Sequence, residues 1–243
     1  MNECAVTLAG AALRARASGA LWWPEAGLLC VSDLHLGKAE RMARRGGPLA
    51  PPYDTEETLA RLEAEVAALA PRVVVCLGDS FDDSEAARAL PDAARLRLAG
   101  LMAGRRWIWI EGNHDPGPVD LGGSHLRAFT AGSLVFRHVA SAAGGEVSGH
   151  YHPKAGIRAQ GRRVRRPCFA VDGGRMILPA FGAYTGGLDV TAPDLRRLLG
   201  PGAVAILTGR PMLRVPLAGL DEADRAGPPR PDPPPSPAAG GGG

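Results

Sequence analysis

Short apolar runs that each end in a cluster of polar residues are the feature that most constrains how this chain can fold. Three such runs, at 28–31, 73–77 and 107–110, are separated by segments with the apolar spacing of helices. Runs this short that are rich in apolar, β-branched and aromatic residues predict buried strands. Strands that alternate with helices predict a mostly parallel sheet, and hence an α/β fold.

The second part of the chain differs, because its predicted strands follow one another without long helical segments. Runs at 134–138 and 146–148 predict strands, and Asp172-Gly173-Gly174 predicts the turn of a hairpin between 169–171 and 175–178. We therefore expect a second sheet packed against the first, in a sandwich flanked by helices. This domain is predicted to cover residues 1–223, and the Pro- and Gly-rich residues 224–243 are predicted to be a disordered tail.

Composition excludes several classes of protein. The 243 residues are 45% hydrophobic and 22% charged, as in a soluble globular protein, and no apolar run reaches the roughly 18 residues of a membrane-spanning helix. The net charge of +3 is too small to indicate a nucleic-acid partner by itself. The 4 Cys form no Cys-x-x-Cys pair, so a zinc ribbon is not expected. The N-terminus has no signal-peptide pattern, so a cytoplasmic location is expected.

The histidines cluster at the ends of the predicted strands. Histidines scattered at random would lie mostly on helices and surface loops, and of the 6 His only His125 is not at or just beyond a strand end. In α/β sheets, active sites form at the carboxyl ends of the strands. The pattern therefore predicts a site built from strand ends, with these histidines: His35, His114, His138, His150 and His152.

Two carboxylates, one amide and four imidazoles in these segments are candidate metal ligands. Nitrogen and oxygen ligands without a thiolate suit divalent ions such as Mn²⁺, Fe or Zn²⁺, and seven ligands suit two ions about 3.5–4 Å apart that share a carboxylate. Alternate residues of an extended chain point the same way, so both histidines or carboxylates of Asp33-Leu34-His35 and of His150-Tyr151-His152 are expected to reach one centre. The predicted ligands are Asp33, His35, Asp79, Asn113, His138, His150 and His152.

Each of these motifs is weak when taken alone, because a structural His or a turn Asp produces the same pattern by chance. Four motifs in this order, each after an apolar run, are much more specific. Adjacent His114-Asp115 also marks a family of metal phosphohydrolases in which the pair lies on a helix. Here an apolar strand and Gly112 precede the pair and Pro116 follows it, so that interpretation is rejected.

The ordered motifs resemble those of the calcineurin-like metallophosphoesterases. They are Asp33-x-His35, Gly78-Asp79, Gly112-Asn113-His114-Asp115, His138 and Gly149-His150-x-His152. Lys38-Ala39 with the basic residues before Pro48, and residues 178–188, are similar to the bacterial ligase-associated DNA damage response endonucleases (PdeM). This resemblance spans nearly all of the chain except the tail, and it implies a four-layer αββα arrangement of two mixed β-sheets flanked by helices.

The resemblance also implies how the ligands are shared between two ions. Mn²⁺ is the expected ion, with Fe and Zn²⁺ as alternatives. One ion would be bound by Asp33, His35, Asp79 and His152. The other would be bound by Asp79, Asn113, His138 and His150, so that Asp79 bridges the pair.

Proton transfer is assigned by the same resemblance to His114-Asp115. His114 would act as general acid on the departing oxygen, and Asp115 would set the tautomer of His114 and raise its basicity. One position departs from the implied pattern, because a His that can contact the phosphate is expected three residues after Asp79 and this chain has Asp82. A carboxylate facing a phosphate is repulsive unless it is neutral, paired or turned away.

Two basic stretches lie beside the predicted ligands. Residues 38–45 follow His35, and residues 158–166 follow His152 in a hairpin-like loop. Both positions suit contact with a phosphodiester backbone, although a solvated surface is the common explanation of such charge runs. The predicted substrate-binding residues are Arg44, Arg45, Arg162, Arg163, Arg165 and Arg166.

The predicted function is therefore hydrolysis of phosphodiester bonds by a two-metal DNA endonuclease or phosphodiesterase in DNA repair. DNA is the predicted partner, and the resemblance implies association with an ATP-dependent DNA ligase and a helicase. A first alternative is a phosphodiesterase or phosphomonoesterase acting on a nucleotide or another small molecule. A second alternative is a non-catalytic interaction module with a degenerate metal site, and retention of all seven ligands and of His114 argues against it.

Overall fold

The computed structural model describes residues 2–46, 51, 53–115, 117, 120–141, 143–159 and 162–220, except for the side chains of residues 158, 159, 162 and 163. Within these residues the chain forms two sheets with helices on their outer faces. The predicted tail, 224–243, lies outside the described residues.

The first sheet contains seven strands in the order of the sequence: β1 (Glu3–Leu8), β2 (Ala11–Arg16), β3 (Leu21–Trp23), β4 (Leu28–Val31), β5 (Val73–Leu77), β6 (Arg106–Ile110) and β7 (Ser124–Leu126). Neighbours from β1 to β4 are antiparallel, whereas β4 to β7 run parallel. The parallel part is the predicted inner sheet. Both faces of its strands are covered, which explains their continuous apolar runs.

Four helices lie on the outer face of this sheet or at its edge: α1 (Lys38–Arg44), α2 (Asp54–Leu69), α3 (Ser84–Arg88) and α4 (Asp92–Met102). Pro91 lies between α3 and α4. Asp54 and Thr55 are the first two residues of α2. Their side chains accept hydrogen bonds from the amides of Ala39 and Gly37, and so tie α2 to the start of α1.

The second sheet contains eight strands: β8 (Ala128–Ala131), β9 (Leu134–Arg137), β10 (Glu146–Ser148), β11 (Lys154–Ala159), β12 (Arg162–Val171), β13 (Arg175–Ile177), β14 (Val204–Leu207) and β15 (Leu213–Pro216). Their order is β15-β14-β12-β13-β10-β9-β8, with β11 paired to β12. The sheet is mixed, because β9, β10 and β13 run parallel and the other pairs are antiparallel. The strands β14 and β15 and the helix α5 (Pro193–Leu198) were not predicted, although the apolar run at 203–207 is a signal of the same kind as the others.

Apolar side chains fill three layers between these elements. One cluster lies between the two sheets, a second packs the first sheet against α2 and α4, and a third packs the second sheet against α5. The fold is therefore the predicted four-layer αββα sandwich. The tryptophans belong to these clusters or pack against them: Trp22, Trp23, Trp107 and Trp109.

The described residues include no helix with the length and apolar character that crossing a bilayer requires. The four cysteines are free thiols, and Cys30, Cys76 and Cys168 are buried. Burial raises the pKa of the Cys30 and Cys76 thiols, which keeps them protonated and unreactive.

Candidate metal centre

Loops from both sheets meet at one edge of the sandwich. Because β4, β5 and β6 are parallel neighbours, the loops that follow them place Asp33, Asp79 and Asn113 side by side. His138 follows β9 and His150 follows β10, which are parallel neighbours in the second sheet. Ligands that are far apart in the sequence therefore come from adjacent strand ends in the fold.

One group of candidate ligands, which we call the Asp33 group, consists of Asp33, His35 and His152, with potential ligand atoms within 4.8 Å of one another. His152 Nε2 lies 3.2 Å from Asp33 Oδ1 and 3.4 Å from His35 Nε2. Two ring nitrogens bound about 2.1 Å from the same ion are roughly 3.0–3.4 Å apart. The spacing of these atoms therefore fits coordination of one ion.

The second group, which we call the Asp79 group, contains Asp79, His138 and His150, again with potential ligand atoms within 4.8 Å of one another. His138 Nε2 lies 3.2 Å from His150 Nδ1 and 3.4 Å from Asp79 Oδ2. Asn113 belongs to this group as well, because its Oδ1 is 2.8 Å from His138 Nε2. The structure thus brings all seven predicted ligands together, with the mixed nitrogen and oxygen atoms that suit divalent ions.

Five of the predicted ligands have a left-handed backbone conformation with positive φ. Such residues cost about 1–3 kcal/mol each, and the surrounding structure must hold them in place. The predicted extended conformation of 33–35 and 150–152 is therefore wrong, because the chain turns at each ligand instead of running straight. The five residues are Asp33 (52°), His35 (46°), Asp79 (45°), His150 (70°) and His152 (46°).

Gly112 and Gly149 allow the ligand loops to approach one another closely. A Cβ atom at Gly112 would overlap the amide and the carboxylate of Asp79, and one at Gly149 would overlap the Ser32 hydroxyl and the Asp33 carboxylate. Each glycine directly precedes a predicted ligand. At these two positions the absence of a side chain is required by the packing of one ligand loop on another.

Asp82 orients the His35 ring. Its Oδ1 lies 2.8 Å from His35 Nδ1, and its Oδ2 accepts a hydrogen bond from Arg41 Nη1 at 2.7 Å. Because a carboxylate accepts, His35 carries its proton on Nδ1 and presents Nε2 to the centre. Burial acts to raise the pKa of Asp82, but the hydrogen bonds from His35 and Arg41 outweigh it and lower the pKa to about 2. This carboxylate is 2% exposed and fully paired, so the repulsion of a phosphate considered from the sequence does not arise.

His138 is oriented by the main chain. Its Nδ1 lies 2.8 Å from the carbonyl oxygen of Leu77, which can only accept, so Nε2 faces Asp79. Burial acts to lower the pKa of His138, but Asp79 and Asp33 raise it to about 9. Burial acts to raise the pKa of Asp79, and the hydrogen bond from His138 instead brings it well below its usual range. Coordination needs a neutral imidazole, so an ion bound by His138 would displace the proton from Nε2 of that ring.

His114 lies beside the Asp33 group, and its ring centroid is 5.4 Å from that of His35. Its Nδ1 is 2.9 Å from the carbonyl oxygen of Asp82. A carbonyl oxygen only accepts, so His114 carries a proton on Nδ1 and leaves Nε2 available to a substrate. The tautomer of His114 is therefore set by a main-chain group in the loop after β5.

The predicted catalytic role of Asp115 as the partner of His114 is wrong. The Asp115 carboxylate is buried, and it accepts hydrogen bonds from the amides of Ser80, Phe81 and Gly112 at 2.8–3.2 Å. Amides in a buried loop need acceptors, and Asp115 supplies them. Its carboxylate thus ties the loop after β5 to the loop after β6 and supports the site indirectly.

The arginines of α1 are paired with acidic side chains. The shortest contacts of Arg44 to Glu40, Asp83 and Glu85 are 2.7–3.0 Å, and Arg45 Nη2 lies 3.8 Å from Asp83. Of these acidic partners, Asp83 lies in the loop after β5 and Glu85 lies in α3, both far from α1 in the sequence. The positive charge that the sequence places next to His35 is therefore largely balanced in the fold.

Two of the four predicted arginines of β12 have main-chain partners. Arg165 Nη2 donates to the carbonyl of Gly187 at 3.3 Å, and Arg166 Nη1 donates to that of Pro211 at 3.2 Å. The side chains of Arg162 and Arg163 lie outside the described residues. Substrate binding by these four arginines stays a prediction.

Two arginines that were not predicted lie next to the Asp79 group. Arg127 and Arg137 line a cavity of about 440 Å³ that Asn113 and His138 also line. Arg137 directly precedes His138, which is a signal that the sequence contains. The position of Arg127 depends on the pairing of β8 with β9, for which the sequence has no comparable signal.

Residues 178–188, which carry part of the resemblance, support two ligand loops through their main chain. The amides of Phe181 and Gly182 donate to the carbonyls of Ser32 and Asp33. A Cβ atom at Gly187 would overlap the His152 carbonyl. The segment therefore contacts the main chain beside Asp33 and that of His152, two members of the Asp33 group.

Comparisons with known proteins agree with this geometry. The family model described as calcineurin-like phosphoesterase matches residues 27–172, a range that contains all seven predicted ligands. The fold is similar to the crystal structure of the Pseudomonas putida nuclease MPE, with a TM-score of 0.70 and 28% sequence identity, over 88% of this chain and 100% of that chain. No protein with a curated description matches the sequence.

Proposed function

The chain belongs to the calcineurin-like phosphoesterase family, and we propose that it uses two divalent ions to cleave phosphodiester bonds of DNA during DNA repair. Metal-dependent phosphoester hydrolysis follows from the family itself. The observation that carries the finer proposal is the convergence of seven nitrogen and oxygen ligands in two adjacent groups, with His114 beside them. The similar structure is that of a nuclease, which supports a nucleic-acid substrate.

The donor atoms of both groups fit divalent ions, and we propose Mn²⁺. Asp33, His35 and His152 would hold one ion and Asp79, Asn113, His138 and His150 the other, with Asp79 reaching both. When bound, such ions lower the pKa of a water to give a nucleophile at neutral pH and neutralise charge on the phosphate oxygens.

The side chains of the site supply orientation and a proton. Asp82 keeps His35 Nδ1 protonated, so that this ring presents its other nitrogen. The Asp82 carbonyl holds His114 Nδ1 in the same way. In its protonated form, His114 therefore has Nε2–H free to donate to the oxygen that departs from phosphorus.

His114→Ala tests this assignment. Loss of a general acid is expected to lower kcat/KM on an oligonucleotide by about 10²–10⁴-fold. Turnover of bis(p-nitrophenyl) phosphate should fall much less, because p-nitrophenolate departs without a proton. Both rates are measured in Mn²⁺, and metal content is compared with that of the wild type.

His125→Ala is the matched control, because His125 lies in β7, stacks on Trp109 of β6 and belongs to neither ligand group. An equal loss on both substrates in His114→Ala would contradict the general-acid role. A wild type that hydrolyses neither substrate with any divalent ion would contradict the proposed activity.

A nucleotide or another small phosphodiester is the second candidate substrate. The pairing of Arg41 and Arg44 with Asp82 and Asp83 favours it, because these arginines have less free charge for a DNA backbone than the sequence alone indicates. Salt separates the two candidates, since binding to many phosphates weakens steeply with salt. Turnover of DNA that falls steeply with salt while a nucleotide p-nitrophenyl ester is unaffected supports DNA, and parallel salt profiles support the small substrate.

A further inference from the structure

The cavity of about 440 Å³ next to the Asp79 group combines metal ligands with two arginine side chains. Asn113 and His138 form part of its wall, and Arg127, Arg137 and Glu111 also line it. Its size is in the range of small-ligand sites. A molecule bound at the Asp79 group would therefore have this cavity as its immediate neighbour.

The β8–β9 hairpin brings the two arginines together. Ala128 at the start of β8 pairs with Arg137 at the end of β9, and Arg127 directly precedes Ala128. The side chain of Arg127 is 92% exposed and that of Arg137 is 33% exposed. Both side chains are thus partly exposed where they line the cavity.

Each of these arginines has its closest carboxylate at Nε. Arg127 Nε lies 3.4 Å from Glu111 Oε2, and Arg137 Nε lies 3.4 Å from Glu146 Oε2. The buried Glu146 carboxylate already accepts two hydrogen bonds from Ser141, and Arg137 Nε is buried without a hydrogen bond. In the part of the chain that the structure describes, no hydrogen bond occupies the terminal guanidinium nitrogens of Arg127 or Arg137.

The arginines of α1 provide the contrast. Arg41 donates to Asp82 at 2.7 Å, and Arg44 donates to Asp83 at 3.0 Å and to Glu85 at 2.7 Å. A phosphate would have to displace these carboxylates. The two terminal nitrogens of a guanidinium group bind a phosphate through parallel hydrogen bonds, and in the β8–β9 hairpin those nitrogens are available.

We propose that Arg127 and Arg137 form a subsite for a second phosphate of the substrate, one nucleotide away from the bond that is cleaved. This inference rests on the proposed function, which places the cleaved phosphate at the metal centre. The substrate chain then leaves the centre past Asn113 and His138. A diester with a single phosphate places no charge in the subsite, whereas an oligonucleotide does.

The test compares a thymidine dinucleotide, which has one phosphate, with the same dinucleotide carrying an added 5′- or 3′-terminal phosphate. The wild type is expected to prefer one of the two phosphorylated forms. Arg127→Ala is expected to lower this preference in kcat/KM by about 10-fold, the effect of one charge-assisted hydrogen bond. Turnover of bis(p-nitrophenyl) phosphate should stay unchanged.

Two further variants make the test specific. Arg137→Lys keeps a positive charge beside Glu146 but loses the planar fork, so the preference should fall in the same direction while the melting temperature is kept. Arg14→Ala is the matched control, because Arg14 on β2 is also exposed and is paired with a single glutamate, Glu3, on the neighbouring strand β1. Its preference should equal that of the wild type.

Calorimetric titration of the three dinucleotides in Ca²⁺ measures the same preference as an affinity, without turnover. If the wild type hydrolyses no substrate, the proposed function fails. The affinities for the three dinucleotides still test whether the subsite binds a second phosphate. Equal affinity of the wild type for the three dinucleotides overturns the subsite. So does a preference that survives in both Arg127→Ala and Arg137→Lys, or an equal loss of turnover on bis(p-nitrophenyl) phosphate.

Discussion

A histidine of each ligand group is oriented by a different part of the chain. In the Asp33 group the orienting group is a side chain, because Asp82 accepts from His35 at 2.8 Å and Arg41 donates to Asp82 at 2.7 Å. In the Asp79 group it is the main chain, because the Leu77 carbonyl accepts from His138 at 2.8 Å. One ion site therefore depends on charged neighbours, and the other depends on where β5 ends.

This difference predicts how each group responds to mutation. A supporting side chain can be replaced, whereas a supporting carbonyl or amide is present in every variant that keeps the fold. The amide of His114, which donates to Asp79 Oδ1 at 2.9 Å, is a second main-chain support of the Asp79 group. We therefore expect substitutions around the Asp33 group to tune its metal affinity, and the Asp79 group to respond mainly to loss of a ligand.

Asp79→Asn is expected to have the largest effect, because Asp79 is the residue proposed to serve both groups. The asparagine oxygen can still accept from the His114 amide, but the negative charge that offsets the cations is lost. We expect both ions to be lost and turnover to fall by at least about 10³-fold. Mass spectrometry of metal content after dialysis in limiting Mn²⁺ is the measurement, and retention of one ion per chain would show that Asp79 serves only its own group.

Asp82→Asn should separate the two groups. Loss of the carboxylate that orients His35 is expected to weaken one ion by about 10–100-fold, as for other partners of metal-binding histidines, and to leave the second ion unchanged. Calorimetric titration with Mn²⁺ resolves the two binding events.

Asp83→Asn is the matched control for Asp82→Asn. Asp83 is the next residue and accepts from the Ala86 amide at the start of α3, a role that asparagine can keep. Weakening of both ions in Asp82→Asn would show that the groups are not supported independently.

The fold was predictable to the extent that burial produces a continuous apolar run. The strands β4, β5 and β6 are covered on both faces, and their sequences show it. By contrast, β7 and β8 are three and four residues long and contain no fully buried residue, so their sequences have neither a run nor a clear alternation. Their presence follows from pairing with neighbouring strands, which a local pattern does not contain.

The ligands were predictable for a related reason, since a polar residue directly after a buried strand must lie at the edge of the sheet. The left-handed backbone at Asp33 and His35 was not predictable, because contacts with other loops impose it. The same holds for Asp115, whose sequence neighbour is His114 but whose hydrogen bonds go mainly to the loop after β5. The position of polar residues after buried strands identified the ligands of the centre. The hydrogen bonds that hold those ligands depend on how the loops pack, and the sequence motifs do not contain that information.

Arg41→Gln is expected to have the smallest effect of these changes, because it acts on the centre only through Asp82. With Arg41 gone, Asp82 still accepts from His35, so the ion of the Asp33 group should weaken by only about 2–10-fold, near the value of one hydrogen bond. The titration used for Asp82→Asn measures this, and the double variant Arg41→Gln/Asp82→Asn decides the route. A double variant no weaker than Asp82→Asn alone means that Arg41 acts through Asp82. Additive losses would mean that Arg41 has its own contact with the bound ligand, and the Asp33 group would then be supported by two independent side chains.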